Sequence, residues 1–353
     1  MRSRRSLSLF AVGAAIALLP ACGAAGPCDP GGNAADDGVG VAVAFDVGGI
    51  GDKSFNDAAK RGLDRAIKDG FVSEADCIEP NATGSNRDDN VVNLADAGYD
   101  LVFGIGFAFS EGIADIHDQY PEQDFGVVYG FATLIATNAT YVVDLTFREE
   151  EGSFLVGVAA AMKTQTGTVG FLGGQQGTGL IEKFQAGYEA GVRAINPDIE
   201  ILAEYIGDDT TAFNDPTRGE ALSAAMYDDG ADVIYHAAGE SGLGLFKAAV
   251  AAGPDALAIG VDSDQYLTAS PEEQEHIVTS MIKRVDTAVY ETIRAVQQGN
   301  FEPGFQVFGL AEEGVGYADS NPELLPEAIQ NEMDRYKEQI IAGAFPVPEK
   351  PQG

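Results

Sequence analysis

Short apolar segments alternate with helical patterns along most of the chain. The run 39–45 is apolar and rich in β-branched residues, which is typical of a buried strand. After a glycine-rich loop, the next apolar positions recur at the spacing of one helix face: Phe55, Ala58, Ala59, Gly62, Leu63 and Ala66. This part of the chain therefore predicts a strand, a loop and a helix in that order.

The same strand–loop–helix unit recurs through both halves of the chain. Alternating strands and helices indicate right-handed βαβ connections and mostly parallel sheets. Helices that cover both faces of a sheet require strands that are apolar throughout, as these runs are. We therefore expect an α/β fold of two doubly wound, Rossmann-like lobes. The further predicted strands are 101–105, 125–129, 142–145, 168–172, 199–205, 233–236 and 257–261.

The loops that follow these strands are the expected ligand site. Ligands of open parallel sheets bind beyond the carboxyl ends of the strands, so such loops converge. Phe107 lies in one of the loops, and His236 begins another. His236 is either a ligand contact or a satisfied histidine at a strand end. The converging loops are 46–56, 104–109, 173–179, 236–244 and 262–265.

The first 21 residues have the pattern of an export signal. Three arginines precede an apolar segment, Leu7 to Leu19, that is shorter than the about 20 residues needed to span a bilayer. The segment leads into Leu19-Pro20-Ala21-Cys22, which resembles the bacterial lipobox, where cleavage leaves a lipidated cysteine. We expect residues 1–21 to be a lipoprotein signal peptide and Cys22 to be the lipidation site. An ordinary signal peptide with an incidental cysteine is the alternative.

The rest of the chain is expected to be a tethered globular body. Residues 22–38 are rich in Gly, Ala and Asp and bury too little apolar surface to offset their ordering entropy, which predicts a flexible tether. About 315 residues follow, enough for two domains with cores of their own. The net charge of −34 argues against nucleic acid as a partner, because its phosphates would be repelled. We expect a monomer on the extracytoplasmic side of a cell membrane.

Three cysteines are present in the whole chain. If Cys22 carries lipid, Cys28 and Cys77 remain in an oxidising compartment. They form either a disulfide that joins the tether to the first lobe or two free thiols, because a sequence contains no distance between them.

Motifs for catalysis and for cofactors match poorly. Asp52 stands before Lys53-Ser54 where a P-loop needs glycine, and it is also a candidate for the cap of the following helix. The loop 174–179 has its glycines in the wrong order for a dinucleotide fingerprint. The three histidines are not at metal-ligand spacing, and no G-x-S-x-G occurs. We therefore expect no enzyme activity, no metal and no cofactor.

Several ordered motifs resemble those of one protein family. Asp46-x-Gly48-Gly49-x-x-Asp52-Lys53-Ser54-Phe55-Asn56 resembles the signature of the basic membrane protein (BMP) family of lipoproteins, which includes the purine-nucleoside receptor lipoproteins. The resemblance runs from about Val41 to about Gly316. Further matching motifs are 170–174, 183–188, 196–198, 213–216, 230–239, 260–265 and 279–284.

This resemblance implies a type I periplasmic-binding-protein fold with three crossovers between its lobes. We expect residues 39–143 plus 263–308 to form the N-terminal lobe, and residues 144–262 plus 309–350 to form the C-terminal lobe. Family members are the ligand receptors of ABC importers, and several of these importers take up nucleosides. The resemblance therefore implies a receptor that binds a nucleoside, with a purine favoured, and delivers it to an ABC permease.

Matching motif positions imply roles for particular residues. Phe55 and Phe213 would hold the base from opposite lobes, since stacking on a base contributes about 1–3 kcal/mol. Each is alternatively a core phenylalanine. Asn56 offers a donor and an acceptor to a base edge. Asp262 suits two ribose hydroxyls, or alternatively caps a helix. The other expected ligand contacts are Asp46, Ser54, Phe107, Tyr129, the backbone at Gly239, and Lys283, which would balance the nearby carboxylates.

One of these positions departs from the family pattern. Family members usually carry an aspartate at the end of the strand 125–129, where Tyr129 stands in this chain. A neutral phenol cannot accept hydrogen bonds as a carboxylate does, so the contact with the base edge would differ. The first alternative is therefore the same fold binding another polar solute, such as a sugar or a signalling molecule. An exported enzyme that acts on nucleosides and a surface lipoprotein without a transported ligand are the others.

Overall fold

Two six-stranded sheets form the cores of two lobes. The computed structural model describes residues 28–29, 31 and 34–352. Every strand pair is parallel except one pair at the edge of the second sheet. Helices flank both sheets, so the predicted α/β class with two doubly wound lobes is confirmed.

The first lobe contains six strands and five helices. Its strands are β1 (Val39–Ala44), β2 (Val72–Ile78), β3 (Leu101–Ile105), β4 (Asp124–Val128), β5 (Val142–Phe147) and β11 (Gly304–Phe308). Its helices are α1 (Phe55–Lys68), α2 (Arg87–Asp96), α3 (Ser110–Ile116), α4 (Ala132–Ile135) and α10 (Val285–Gln297). The strands lie in the order β11-β5-β4-β3-β1-β2. The face of α1 predicted to be apolar is buried, and its first residue, Phe55, is half-buried.

The second lobe contains six strands and six helices. Its strands are β6 (Thr168–Gln175), β7 (Glu200–Gly207), β8 (Val233–Ala237), β9 (Leu257–Asp262), β10 (Ile277–Lys283) and β12 (Val315–Tyr317). Its helices are α5 (Glu149–Lys163), α6 (Ile181–Ile195), α7 (Pro216–Asp228), α8 (Leu243–Ala252), α9 (Pro271–Gln274) and α11 (Glu327–Ile341). The strands lie in the order β12-β10-β9-β8-β6-β7, with β12 antiparallel to β10.

Three crossovers join the lobes, but two of them lie later in the chain than expected. Residues 263–283 do not belong to the first lobe, because β10 pairs in parallel with β9 and adds one more βα unit to the second sheet. The chain returns to the first lobe only after Lys283, through α10, which packs on α1. The first crossover follows Phe147 rather than residue 143, because β5 continues to that residue. The third crossover lies between β11 and β12.

A disulfide joins the segment before β1 to the edge strand β2. The sulfurs of Cys28 and Cys77 are bonded, with 5.7 Å between the Cα atoms, so the disulfide is observed and the alternative of two free thiols is wrong. The predicted lipidation site, Cys22, lies outside the described residues. Within residues 28–29, 31 and 34–352, no helix combines the length and the apolarity that a membrane span requires.

Candidate functional site

A cleft lies between the lobes where the carboxyl ends of both sheets meet. It encloses about 600 Å³ of space, including the solvent at its mouth. Nine of the ten residues expected to contact a ligand line this cleft: Asp46, Phe55, Asn56, Phe107, Tyr129, Phe213, Gly239, Asp262 and Lys283.

Two phenylalanines reach the cleft from opposite lobes. Phe55 is the first residue of α1, and Phe213 ends a short 3-10 turn, Thr210–Phe213, after β7. Both side chains are half-buried. The position of Phe213 depends on Gly174 in β6, where an added Cβ would lie 2.3 Å from the phenylalanine ring. The glycines that follow the predicted strand 168–172, which the structure places at the end of β6, thus provide space for an aromatic side chain rather than for a phosphate.

Lys283 lines the cleft with a buried ammonium. Its side chain is 2% exposed, and Nζ is 2.6 Å from Asp262 Oδ1 and donates a hydrogen bond to the hydroxyl of Tyr129. The same nitrogen lies 3.9 Å from the ring centroid of Tyr129 and 4.7 Å from that of Phe55, which is within cation–π range. Burial lowers the pKa of Lys283, while the charges of Asp262 and Glu149 act to raise it.

Asp262 is held by groups from both lobes. Its backbone has a φ of 64°, in the left-handed region that non-glycine residues rarely adopt. Ser54 Oγ, from the first lobe, donates to Asp262 Oδ2 at 2.7 Å. Ser54 is the one expected ligand contact that does not line the cleft: it is fully buried behind it and positions the carboxylate.

Asp46 is paired with an arginine that the sequence patterns do not reveal. Arg87 Nε donates to Asp46 Oδ1 at 2.6 Å, and the backbone N–H of Val47 donates to the same oxygen at 2.7 Å. Burial raises the pKa of Asp46, and the adjacent guanidinium opposes that shift. Gly106 provides the space for this pair, because its φ is 133° and an added Cβ would lie 2.5 Å from Asp46 Oδ2.

Asn56 lines the cleft with its amide already oriented by the protein. Its Oδ1 accepts from the backbone N–H of Asp46 at 3.1 Å, and its Nδ2 donates to Asp52 Oδ2 at 3.0 Å. One N–H and one oxygen lone pair remain for a ligand. Asp52 also accepts from the backbone N–H groups of Ser54, Asn56 and Asp57, so it holds the start of α1, and burial raises its pKa to about 6.

Glu149 is a second buried charged residue whose place near the cleft the sequence patterns do not reveal. It begins α5 directly after the first crossover, is 1% exposed, and has no hydrogen-bond partner for either carboxylate oxygen within the described residues. Burial raises its pKa to about 8, although Lys283 and Lys183 oppose the shift. The only sequence signal for it is the run of three glutamates, Glu149 to Glu151, after an apolar strand.

Other candidate chemistry is absent from the described part of the chain. His236 is fully buried and does not line the cleft; its Nε2 is 2.9 Å from Gln265 Oε1, and its Nδ1 has no hydrogen-bond partner among the described residues. Burial lowers its pKa to about 4. Among residues 28–29, 31 and 34–352, no group of three or more His, Cys, Asp or Glu side chains is arranged to hold a metal ion.

The chain is similar to known proteins of ABC transport systems. Residues 39–351 match the family model described as ABC transporter substrate-binding protein PnrA-like. Basic membrane protein A2 of Borrelia garinii subsp. bavariensis is 36% identical over 306 residues, which cover 85% of this chain and 86% of that protein. The ABC transporter nucleoside-binding protein BmpA of Lactococcus lactis subsp. cremoris is 31% identical over 324 residues, which cover 88% of this chain and 89% of that protein.

A solved structure shows the same architecture. The crystal structure of an ABC transporter solute-binding protein from Aeropyrum pernix K1 is similar with a TM-score of 0.75 and 29% identity. The similarity covers 88% of this chain and 94% of that one. The two-lobed fold with three crossovers is therefore that of the type I periplasmic-binding proteins.

Proposed function

This chain belongs to the PnrA-like family of ABC transporter substrate-binding proteins, and we propose that its cleft binds a nucleoside, with a purine favoured, for delivery to an ABC importer. The family consists of extracytoplasmic solute-binding proteins rather than enzymes, so the ligand is a small molecule and the partner is a permease. The name of the Lactococcus relative, a nucleoside-binding protein, supports the proposed ligand class.

The observation that carries the proposal is the pair of phenylalanines in one cleft. Phe55 and Phe213 come from opposite lobes and line the same cavity, as a flat aromatic ligand requires. Stacking on a base contributes about 1–3 kcal/mol and tolerates different bases. Asp262 lies in the same cavity with its carboxylate oriented by Ser54, which suits the hydroxyls of a ribose.

We further propose that the protein acts as a monomer anchored by lipid at Cys22. The sequence before residue 39 has the order of an export signal, a lipobox-like tetrapeptide and a polar tether. Two acyl chains hold a protein at a membrane far better than one chain does. Such an anchor would keep the receptor close to its permease.

A different polar solute is the second candidate ligand. Tyr129 occupies the strand end where the BMP family usually has an aspartate, and it contacts Lys283. At this strand end the chain therefore presents a phenol hydroxyl rather than a second carboxylate beside Asp262. A sugar would use Asp262 but would gain less than a nucleobase does from the two phenylalanines.

Calorimetric titration of phenylalanine variants tests the proposal. We expect Phe55→Ala and Phe213→Ala each to weaken the binding of a purine nucleoside by at least about tenfold, because each removes one stacking surface. Phe305→Ala is the matched control, since Phe305 is 49% exposed on β11 and does not line the cleft. Near-wild-type affinity in both cleft variants, or tighter binding of ribose than of the nucleoside, would contradict the proposal.

A further inference from the structure

Equivalent loops follow equivalent strands in the two lobes. β4 and β9 each hold the third position in the strand order of their sheet. β4 is followed by Tyr129 and β9 ends at Asp262, and both residues line the cleft with a left-handed φ, 65° and 64°. Few non-glycine residues adopt that conformation. A helical turn of four residues begins three positions later in each lobe: α4 in the first and Gln265–Thr268 in the second.

Both helical turns are fixed to the neighbouring strand in the same way. The N–H of Ala132, the first residue of α4, donates to Asp144 Oδ1 at 3.0 Å. The N–H of Gln265, the first residue of the other turn, donates to Ser280 Oγ at 3.1 Å. Asp144 lies in β5 and Ser280 in β10, which each hold the second position in their sheets. The same kind of contact therefore holds each turn against the same position of its sheet.

Each turn exposes a leucine at the same position. Leu134 and Leu267 stand five positions after Tyr129 and Asp262, and each is 66% exposed. No other large apolar side chain among the described residues is as exposed, and Ile135 beside Leu134 is 48% exposed. Scattered apolar residues are normal on a protein surface, but the same exposure at equivalent positions of both lobes indicates a surface with a function. These are the two apolar tips: Leu134 with Ile135 on the first lobe, and Leu267 on the second.

Charged residues are absent from the sequence around both apolar tips. Residues 129–143 and 265–271 contain none, although 22% of the chain is charged and the net charge is −34. The core of a protein–protein interface is likewise depleted in charge, because taking an unpaired charge out of water is costly. The tips therefore fit an apolar protein surface better than a charged one.

Both apolar tips lie close to the cleft, one on each lobe. Tyr129 and Asp262 line the cleft, five residues before the leucines. Thr268, next to Leu267, accepts a hydrogen bond at 3.0 Å from Lys53 Nζ of the first lobe, which places that tip at the rim. A ligand released from between the lobes passes this rim, so the protein that receives it must lie against both lobes. For a member of this family that protein is a permease.

We propose that Leu134, Ile135 and Leu267 form a docking surface for the ABC permease, through apolar contacts at one tip on each lobe. The inference rests on the proposed function only for the permease partner, and it does not depend on which ligand occupies the cleft. A few residues usually carry most of the binding energy of an interface. Removing the tip side chains is therefore expected to weaken docking strongly.

Photocrosslinking in cells that produce this protein identifies what contacts the tips. Benzoylphenylalanine replaces Leu134 or Leu267 in the full-length chain, and mass spectrometry identifies the products after irradiation. We expect crosslinks from both positions to a membrane-spanning subunit of an ABC importer. Ile341, which is 46% exposed on α11, is the control position and should give no such crosslink. Crosslinks only to lipid, to a second copy of this chain or to proteins outside ABC importers, or none at all, would overturn the inference.

Uptake by cells measures the functional consequence. In the double variant Leu134→Ser with Leu267→Ser, we expect the uptake of labelled inosine to fall at least about tenfold, as the loss of central interface residues allows. The calorimetric affinity of this variant for inosine should match that of wild type, because neither side chain lines the cleft. Ile341→Ser is the matched control and should keep both. Undiminished uptake, or a loss of affinity in the double variant, would overturn the inference.

Ligand identity and docking can be told apart. If the wild-type protein neither binds nor supports uptake of inosine while both tips crosslink to the permease, the proposed nucleoside ligand is wrong and the docking surface stands. If inosine is bound and taken up but neither tip crosslinks to the permease, only the docking surface is wrong.

Discussion

Glu149 combines full burial with an ionisable group that lacks a hydrogen-bond partner within the described residues. Its pKa is raised from 4.5 to about 8 by burial, so the folded state binds its proton more tightly than the unfolded state does. The resulting contribution to stability is complete below about pH 4.5 and is lost as the pH rises through about 8. Lys283 and Lys183 reduce the effect without cancelling it.

The substitution Glu149→Gln should remove this pH dependence. We expect its unfolding free energy to rise relative to wild type between about pH 5 and pH 8.5, by on the order of 4 kcal/mol, since this range spans about three pKa units of about 1.4 kcal/mol each. Urea unfolding at several pH values measures the difference. The exposed Glu323→Gln is the control for the change in net charge. If the free energy of unfolding changed with pH in the same way for wild type and Glu149→Gln, the buried carboxyl would not have the raised pKa on which this prediction rests.

At the same scale, the sequence identifies some site residues and misses others for a physical reason. Phe55 and Asp262 are predictable because they stand in motifs at strand or helix ends, where parallel sheets place their ligand sites. Arg87 and Glu149 are not predictable, since their roles depend on which distant carboxylate or lysine the fold brings beside them. Ser54 is in the right motif, but only the packing of the lobes shows that it faces Asp262 rather than the cleft.

Helices α5 and α6 pack so closely that their backbones are in contact. An added Cβ at Gly187 would lie 2.1 Å from the carbonyl oxygen of Glu150, and one at Gly191 would lie 2.1 Å from that of Phe154. From the other side, a Cβ at Gly157 would lie 2.2 Å from the carbonyl oxygen of Tyr188. These glycines dock the crossover helix α5 onto the second lobe, and they thereby hold Glu149 at the lobe junction.

Replacing Gly187 by alanine should destabilise the protein although alanine favours helix formation by about 1 kcal/mol. The added methyl group would clash with the carbonyl oxygen of Glu150. Forcing extra atoms into a packed contact costs about 1–3 kcal/mol, which outweighs the gain in helix propensity. Chemical unfolding of Gly187→Ala measures the loss. Ala190→Gly, in the same helix, is the control and should cost only the propensity difference. A Gly187→Ala protein as stable as wild type would refute the close contact.

Elements differ in how far their sequence reveals them. Most strands inside the two sheets are continuous apolar runs, which the sequence predicts to within a few residues, but the interior strand β10 is not among the predicted strands. The edge strands β2 and β11 were not predicted, because their residues alternate between buried and exposed and carry polar side chains. The polar helix α2 was missed for the same reason, since few of its positions form an apolar face.

For the whole molecule, closure of the lobes depends on groups that touch both of them. Direct contacts exist at the rim: Lys53 Nζ donates to the carbonyl oxygen of Thr268 at 3.0 Å, and Arg61 donates to Ser263 Oγ at 2.9 Å. A ligand stabilises the closed arrangement only through contacts that the open one lacks. The proposed pair of phenylalanines meets that condition, because each lobe contributes one.

The assembly of the lobes was only partly predictable. A resemblance to the BMP family implied three crossovers, and three are observed. The second was misplaced because the sequence pattern predicts no strand at residues 277–283, which in the structure form β10 beside β9. Which sheet β10 joins depends on its pairing with β9, and no local sequence pattern shows that contact.

A crystal structure of the protein with inosine bound would test the central claim most directly. The proposed function predicts the base between Phe55 and Phe213, with the ribose hydroxyls at Asp262. A nucleoside bound outside the cleft, or inside it without contact to either phenylalanine ring, would contradict the claim.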